Sequence, residues 1–338
     1  MENYGKFFIC GKGEKGIGEA KEFLGELAAQ RSGRSMTASE KGRFEMKRIL
    51  VTGKNSYIGN SFCDYIKQFP EYIADTISVR GKAWEKMNFN GYDTIFHVAG
   101  IAHADVGKVS AEQRKLYYKV NTDLTIALAK KAKAEGVGQF IFMSSAIVYG
   151  DSAPIGMEKI ITVDTFPVPA NFYGDSKLKA EEEIRKLESN IFKVVVLRPP
   201  MIYGKGSKGN YQLLAKFARK LPIFPKVKNQ RSVLYIGNLM EFVRLIIENE
   251  ESGIFFPCNR EWSNTSELVR MIAAVHGRKV WLVPGCGWML GLLRHVSGRV
   301  DKAFGSLVYE KGMGEYQVEY RKFSLKESIQ ITEGGKRT

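Results

Sequence analysis

The sequence predicts an α/β protein built on a doubly wound parallel sheet, with a smaller C-terminal lobe of mixed helices and short strands. From Lys47 onward, short apolar runs alternate with helical patterns of about 10 to 15 residues, an order typical of parallel strands joined by helices. The first apolar run, 48–52, leads directly into a turn with glycines and then a helix. After Pro199 the alternation loosens, so we expect a lobe that returns some segments to the sheet.

Individual elements follow from the apolar patterns and from the glycine and proline residues that interrupt them. We predict strands at 48–52, 73–79, 94–98, 139–144 and 192–197. We predict helices at 60–69, 121–135, 176–189, about 210–220, 238–249, 263–276 and 286–296.

The first 45 residues differ from the rest of the chain. They contain three glycines in a GxGxxG spacing (Gly11, Gly13 and Gly16), but a polar stretch follows where a second strand would be needed. We therefore interpret 1–45 as an extension of unknown structure, 46–200 as the main α/β domain and 201–338 as the smaller lobe.

Composition limits the function classes. The 338 residues are 44% hydrophobic and 26% charged, which is typical of a globular protein. The net charge of +15 comes from cations spread along the chain, so it indicates either a solvated surface or attraction for an anionic small molecule. There is no basic stripe interleaved with aromatics and no zinc-ligand spacing, so we expect neither a nucleic-acid partner nor a metal site.

Cysteine usage and hydropathy indicate a reduced, cytoplasmic protein. The cysteines have irregular spacings and no CxxC pair: Cys10, Cys63, Cys258 and Cys286. The most apolar segment, 280–293, is shorter than the roughly 20 residues of a membrane span and contains glycines and a proline. We expect it to be a core helix or a docking element, with peripheral membrane contact as the alternative.

The turn at 52–59 carries the pattern of a phosphate-binding loop between a strand and a helix. Gly53 permits a tight turn, Gly59 permits close packing of helix on strand, and Ser56 replaces the middle glycine of the usual pattern. Because a helix N-terminus favours anions, this predicts a pyrophosphate site; the alternative is a purely structural turn. Arg80 follows the second strand, where an acid would favour NAD, so it favours the 2′-phosphate of NADP unless it is merely exposed.

Tyr173 and Lys177 form the clearest chemical pattern. Residues four apart lie on one face of a helix, and a free phenol has a pKa near 10, too high for a base at neutral pH. A nearby ammonium would favour the phenolate, which could remove a proton from a sugar hydroxyl while hydride leaves the carbon. Ser145 follows a strand and could bind the reacting oxygen, and Asn121 could support a proton relay or cap its helix.

Taken together, these motifs make the chain resemble the extended short-chain dehydrogenase/reductase superfamily, in its NAD-dependent epimerase/dehydratase branch. The resemblance extends from about residue 46 to about residue 330. It rests on TGxxxYIG at 52–59, HVAG at 97–100, VN at 120–121, SSAIVYG at 144–150, YGDSK at 173–177 and LRPPMIYG at 197–204.

The resemblance implies a Rossmann-type domain that binds NAD or NADP at 46–200, a mainly substrate-binding lobe at 201–338, and a homodimer. The catalytic set it implies is Ser145, Tyr173 and Lys177. The cofactor positions it implies are Gly53, Ser56, Tyr57, Ile58, Gly59, Arg80, Ala99, Asn121, Tyr173 and Lys177. The substrate positions it implies are Ser145, Asn210 and Arg231, with the arginine binding the diphosphate of a nucleotide sugar.

The resemblance also narrows the reaction. Sugar dehydratases of this group carry an acidic pair where this chain has Ala146 and Ile147, so dehydration is not expected. Similarity to bacterial surface-polysaccharide members implies two nearly level reactions, of which the first is a 4-epimerase of a UDP-hexose or UDP-N-acetylhexosamine that works through a 4-keto intermediate. The alternative is an NADPH-dependent 4-keto reductase of a UDP-4-keto-6-deoxy-hexosamine. A non-catalytic dinucleotide sensor is the remaining alternative, disfavoured because the tyrosine and the lysine are both present.

Overall fold

The computed structural model describes residues 46–102, 109–285 and 304–334. The strands are β1 (Lys47–Thr52), β2 (Tyr72–Ile77), β3 (Thr94–His97), β4 (Gln139–Met143), β5 (Ile160–Ile161), β6 (Lys193–Leu197), β7 (Met201–Tyr203), β8 (Ile223–Pro225), β9 (Val233–Tyr235), β10 (Gly253–Phe255), β11 (Trp281–Val283) and β12 (Val308–Tyr309). The α-helices are α1 (Tyr57–Ile66), α2 (Ala111–Tyr118), α3 (Leu124–Ala134), α4 (Phe172–Arg185), α5 (Asn210–Lys220), α6 (Ile236–Glu248), α7 (Thr265–Val275) and α8 (Leu325–Thr332).

A six-stranded parallel sheet forms the centre of the molecule, in the order β2-β1-β3-β4-β6-β10. Its inner strands are buried on both faces, which explains their continuous apolar runs. Ile49 and Val51 pack in the same core cluster as residues of α1 and α6, whereas Leu50 packs with residues of α3 and α4. The predicted doubly wound parallel sheet is confirmed.

The sheet has a switch point between β1 and β3. After β1 the chain moves outward to β2 and then returns to place β3 on the other side of β1. The connections that leave the carboxyl ends of β1 and β3 therefore diverge, and a crevice opens between them, where ligands of such sheets bind.

Side-chain caps set the starts of two helices earlier than predicted. Ser56 Oγ accepts from the amide of Gly59 at 3.0 Å, so α1 begins at Tyr57. The side chain of Asn171 accepts from two amides at 3.1 Å, so α4 begins at Phe172. As a result, the whole Tyr173–Lys177 segment is helical.

The predicted helix start at Asn121 is wrong. The helical segment begins at Ala111, where Ser110 and Gln113 form a capping box, and it continues through a π-helical turn at Lys119–Asp123 into α3. The α2 segment is largely polar and lacks an apolar stripe, so its periodicity did not reveal it. Asn121 is consequently a buried residue inside a helix rather than an N-cap.

The C-terminal part combines a second core with segments that return to the first part of the chain. Helices α5, α7 and α8 pack around buried aromatic residues, whereas β10 joins the main sheet and β12 pairs with β5. The division at residue 200 stays a prediction. The predicted helix at 286–296 and the extension 1–45 lie outside the described residues. Among the residues that are described, no helix has the length and apolarity needed to cross a membrane.

We predict that His97 makes the fold sensitive to acid. Its ring is buried between the hydroxyls of Thr52 (2.6 Å) and Thr125 (2.9 Å), and burial, followed by the charge of Lys177, lowers its pKa to about 3. In the unfolded chain His97 takes up a proton near pH 6.5, whereas in the folded chain it does so only near pH 3. Between these two pH values, unfolding is therefore coupled to the binding of one proton. This group should lower the free energy of unfolding by about 1.4 kcal/mol per unit as the pH falls through that window.

Urea titrations at a series of pH values should show that the free energy of unfolding depends less steeply on pH in His97→Asn than in the wild type. His276→Asn is the matched control, because that partly exposed ring bonds to Glu333 and is not enclosed. An unchanged slope in His97→Asn would contradict the assignment.

Candidate active site

A cavity of about 830 Å³ lies at the carboxyl edge of the sheet, within the usual size of a small-molecule site. It runs from the glycine turn, past the end of β4 and the start of α4, to the C-terminal part of the chain. The predicted residues that line it are Ser56, Tyr57, Ile58, Ser145, Tyr173, Lys177, Asn210 and Arg231. Residues more than 170 positions apart therefore face one space.

The glycine turn lets two backbone segments approach closely. Gly53 has a φ of +95°, and a Cβ at this position would lie 3.1 Å from the Ala99 amide nitrogen. A Cβ on Gly59 would lie 2.6 Å from Ser56 Oγ. Larger side chains at either glycine would displace the start of α1, whose first residues, Tyr57 and Ile58, line the cavity.

Asn121 joins the loop after β3 to α4. Its carboxamide oxygen accepts from the Ile101 amide at 2.8 Å, and its nitrogen donates to the Ile101 carbonyl and the Ser176 hydroxyl, both at 3.1 Å. A Cβ on Gly100 would lie 3.1 Å from the Asn121 oxygen and 3.2 Å from Lys177 Nζ. The buried carboxamide of Asn121 therefore holds the loop after β3 against Lys177.

Lys177 is buried beside the end of β4. Its ammonium donates to the Met143 carbonyl at 2.9 Å and lies 4.6 Å from the centre of the Phe142 ring. Burial lowers the pKa of Lys177 to about 8, although the carboxylate of Glu181 opposes the shift. This lysine is therefore a cation held by the end of the strand.

The phenol of Tyr173 is a buried group in the wall of the cavity. Burial and the neighbouring Tyr117 raise its pKa to about 12, and the hydrogen bond with the Ser145 hydroxyl only partly offsets this. The Lys177 ammonium donates to the Met143 carbonyl. A phenol with this raised pKa is protonated at neutral pH.

Ser145 links the end of β4 to the phenol. It precedes a 3₁₀ turn, Ala146–Tyr149, and its hydroxyl accepts from the Ile147 amide at 3.3 Å. The same hydroxyl is a hydrogen-bond partner of Tyr173. The structure therefore places Ser145, Tyr173 and Lys177 in the wall of one cavity.

A buried ion pair behind these residues was missed by the sequence analysis. The Arg198 guanidinium donates to the Glu181 carboxylate at 2.5 and 3.0 Å, and also to the Tyr149 hydroxyl at 2.7 Å. Ser144 donates to the same carboxylate. Glu181 lies four residues after Lys177 on α4, so a third polar residue at helical spacing was the available signal.

Arg231 is an enclosed cation at the other end of the cavity. Its Nη1 donates to the Ser152 hydroxyl at 3.2 Å and to the Gly305 carbonyl at 2.9 Å, and burial lowers its pKa to about 10. Among the residues that the structure describes, no carboxylate forms an ion pair with it. Asn210, the first residue of α5, lines the same region. This end of the cavity therefore suits an anionic ligand.

Arg80 is placed differently from the other predicted residues. Its side chain is exposed and does not line the cavity. The loop that carries it nevertheless adjoins the glycine turn, because the amides of Gly53 and Lys54 both donate to the Ile77 carbonyl, at 3.0 and 3.1 Å. Lys54 is a second exposed cation at this point, which the sequence analysis did not single out.

Fold and cavity together define the class of nicotinamide-dinucleotide enzymes. The model of the NAD dependent epimerase/dehydratase family matches residues 49–255, which is more than half of the chain. A UDP-glucose 4-epimerase of Vibrio cholerae is 29% identical over 287 residues, which is 77% of this chain and 86% of the relative.

Solved structures agree in fold. A UDP-glucuronic acid 4-epimerase from Bacillus cereus in complex with NAD has a TM-score of 0.66 at 17% identity and covers 85% of this chain and 96% of its own. A dTDP-4-dehydrorhamnose reductase from Bacillus anthracis in complex with NADP has a TM-score of 0.64 at 18% identity and covers 85% of this chain and 98% of its own. The chain belongs to the NAD-dependent epimerase/dehydratase family and is an enzyme that uses a nicotinamide dinucleotide.

We predict that Glu181→Gln destabilises the protein by about 3–5 kcal/mol, because it leaves the Arg198 charge buried without a partner. Urea unfolding monitored by circular dichroism measures this loss. The control is Glu183→Gln on the same helix, which removes an exposed pair with Lys186 and should cost less than about 1 kcal/mol. Equal effects in the two variants would contradict the role assigned to the buried pair.

Proposed function

We propose that this enzyme is a nucleotide-sugar epimerase that acts at C4 of a UDP-hexose or a UDP-N-acetylhexosamine through a 4-keto intermediate. The observation that carries the proposal is a single cavity that holds a proton donor and, further along, an enclosed cation. Tyr173 and Ser145 line it where β4 ends and α4 begins, and Arg231 lies in the C-terminal part. A sugar diphosphate has the matching order of groups, with a hydroxylated ring joined to two phosphates.

The glycine turn fits a dinucleotide because Gly53 and Gly59 leave no side chain over the N-terminus of α1. Ser56 through its hydroxyl, and Tyr57 and Ile58 through their backbone amides, would hold the pyrophosphate there, and Lys177 would bind the nicotinamide ribose. When bound, the nicotinamide supplies the acceptor and donor of hydride at C4.

The protein residues supply the proton chemistry. Ser145 holds the C4 oxygen of the sugar, while the Tyr173 oxygen exchanges a proton with it. In the oxidation half the phenol must first lose its proton, and the positive charges of Lys177 and of an oxidised nicotinamide favour that loss. In the reduction half the protonated phenol donates to the keto oxygen. Arg231 binds the diphosphate and keeps the sugar in the cavity.

A 4-keto reductase of a UDP-4-keto-6-deoxy-hexosamine is the second candidate, and two observations favour it. The phenol of Tyr173, with a pKa of about 12, is already in the protonated form that reduction needs. Arg80 and Lys54 are exposed cations beside the glycine turn, which suits the 2′-phosphate of NADP. A dinucleotide sensor has less support, because such a protein has no need for the assembled Ser145, Tyr173 and Lys177.

Tyr173→Phe should lower kcat by about 10²- to 10⁴-fold, because it removes the proton donor while keeping the ring. The measurement is interconversion of UDP-glucose and UDP-galactose, and of their N-acetylated forms, followed by NMR. Tyr118→Phe is the control, since that phenol bonds to Asp175 and does not line the cavity. If Tyr173→Phe kept most of the turnover, the mechanism would be wrong; if no UDP sugar reacted in the wild type, the epimerase proposal would fail.

Identification of the cofactor separates the two candidates. Denaturation of the purified protein should release stoichiometric NAD if it is an epimerase. A reductase should instead be purified empty and bind NADPH. In that case Arg80→Gln should weaken NADPH binding by about ten- to a hundredfold, because a charged hydrogen bond is lost, and should leave NADH binding unchanged. Lys82→Gln, an exposed cation two residues further on, is the matched control.

A further inference from the structure

The two-stranded sheet of β8 and β11 has an apolar outer side. Its inner side packs on the C-terminal core through Phe224 and Val280, which are almost fully buried. On the outer side Trp281 is 60% exposed and lies opposite Ile223, which is 57% exposed. We define the β8–β11 face as Leu221, Ile223, Trp281 and Val283, all of which are exposed. A contiguous exposed apolar patch of this kind indicates an interaction site.

The two segments that form this face are rich in cations and contain no acids. The segments 216–228 and 276–285 contain no aspartate or glutamate. They contain seven exposed cations: Lys216, Arg219, Lys220, Lys226, Lys228, Arg278 and Lys279. The Lys279 ammonium lies 4.1 Å from the centre of the Trp281 ring, and Arg219 pairs with Glu333. The remaining charge makes the surroundings of the face strongly positive.

We propose that the β8–β11 face docks the enzyme peripherally on an anionic lipid bilayer. Tryptophan favours the boundary between headgroups and acyl chains, aliphatic side chains enter the upper acyl region, and lysine and arginine attract anionic headgroups. The face carries all three kinds of group on one surface. It needs no membrane-spanning helix, and it is independent of the reaction proposed above.

Other partners fit the face less well. Isologous pairing of two copies would bring the same cations together, and like charges at an interface oppose association. A nucleic acid would be attracted by the cations and could stack on Trp281, but the other three members of the face, Leu221, Ile223 and Val283, offer it neither stacking nor hydrogen bonds. An anionic bilayer satisfies both the charge and the aliphatic surface.

The docking face is one helix length from the cavity. Helix α5 begins at Asn210, which lines the cavity, and ends at Lys220, next to the face. Ten steps of 1.5 Å place these ends roughly 15 Å apart. Substitutions on the face therefore leave the cavity residues untouched, and docking can be tested without changing the reaction site.

Co-sedimentation of the full chain with vesicles tests the proposal. The protein should bind phosphatidylcholine vesicles that contain phosphatidylglycerol and should bind pure phosphatidylcholine at least tenfold more weakly. Lys226→Gln with Lys279→Gln should reduce the partition coefficient about 25-fold, because each cation near an anionic surface contributes roughly a factor of five. Trp281→Ser with Ile223→Ser should reduce it at least tenfold at high salt, where the charge effect is screened.

Matched controls keep the test specific. Lys67→Gln with Lys186→Gln removes two exposed lysines elsewhere, and Ile191→Ser removes an exposed aliphatic side chain; neither should change the partition coefficient more than twofold. Melting curves confirm that the face variants fold. The proposal is overturned if anionic vesicles do not retain the wild type or if face and control variants bind equally. It is also overturned if the face variants only convert a dimer to a monomer in light scattering, or lose binding to a DNA duplex and keep binding to vesicles.

Discussion

The buried ion pair of Arg198 and Glu181 is the constraint on which the active-site geometry depends. It joins the end of β6 to the middle of α4, and the Ser144 and Tyr149 hydroxyls bring the end of β4 into the same network. Helix α4 carries the tyrosine and the lysine, so its register against the strand ends sets where both functional groups lie. Such a pair contributes little net stability, since desolvation offsets most of the attraction, but either partner alone would be costly. The main effect of the ion pair is therefore to fix the position of α4 against the strand ends, and its net contribution to stability is small.

Burial also determines the acid–base character of the site. The lysine has a lowered pKa and the phenol a raised one, for the same reason: each loses its hydration in the wall of the cavity. The Lys177 ammonium is directed to the Met143 carbonyl, so it holds the strand end and does not by itself ionise Tyr173. The raised pKa favours the phenol as a proton donor, and further positive charge in the cavity would favour its action as a base.

The two ends of the cavity differ in what they offer a ligand. One end presents backbone amides, hydroxyls and a phenol, whereas the other presents the enclosed guanidinium of Arg231 without a carboxylate partner in the described part of the chain. This difference is what the proposed sugar diphosphate substrate would require. The β8–β11 face lies beyond the C-terminal end of α5, the helix whose first residue, Asn210, lines the cavity.

The sequence alone determined the parallel sheet and the glycine turn, and it placed Ser145 after a strand and Tyr173 and Lys177 on one helix, because these depend on local patterns: apolar runs, glycine positions and helical spacing. It misplaced the start of the helix containing Asn121, since α2 lacks an apolar stripe. Only the tertiary structure decided three features: Glu181 pairs with Arg198, Arg231 donates to Ser152, and burial raises the pKa of Tyr173. Each depends on which distant segment covers a side chain and excludes water from it, and neither spacing nor composition contains that information.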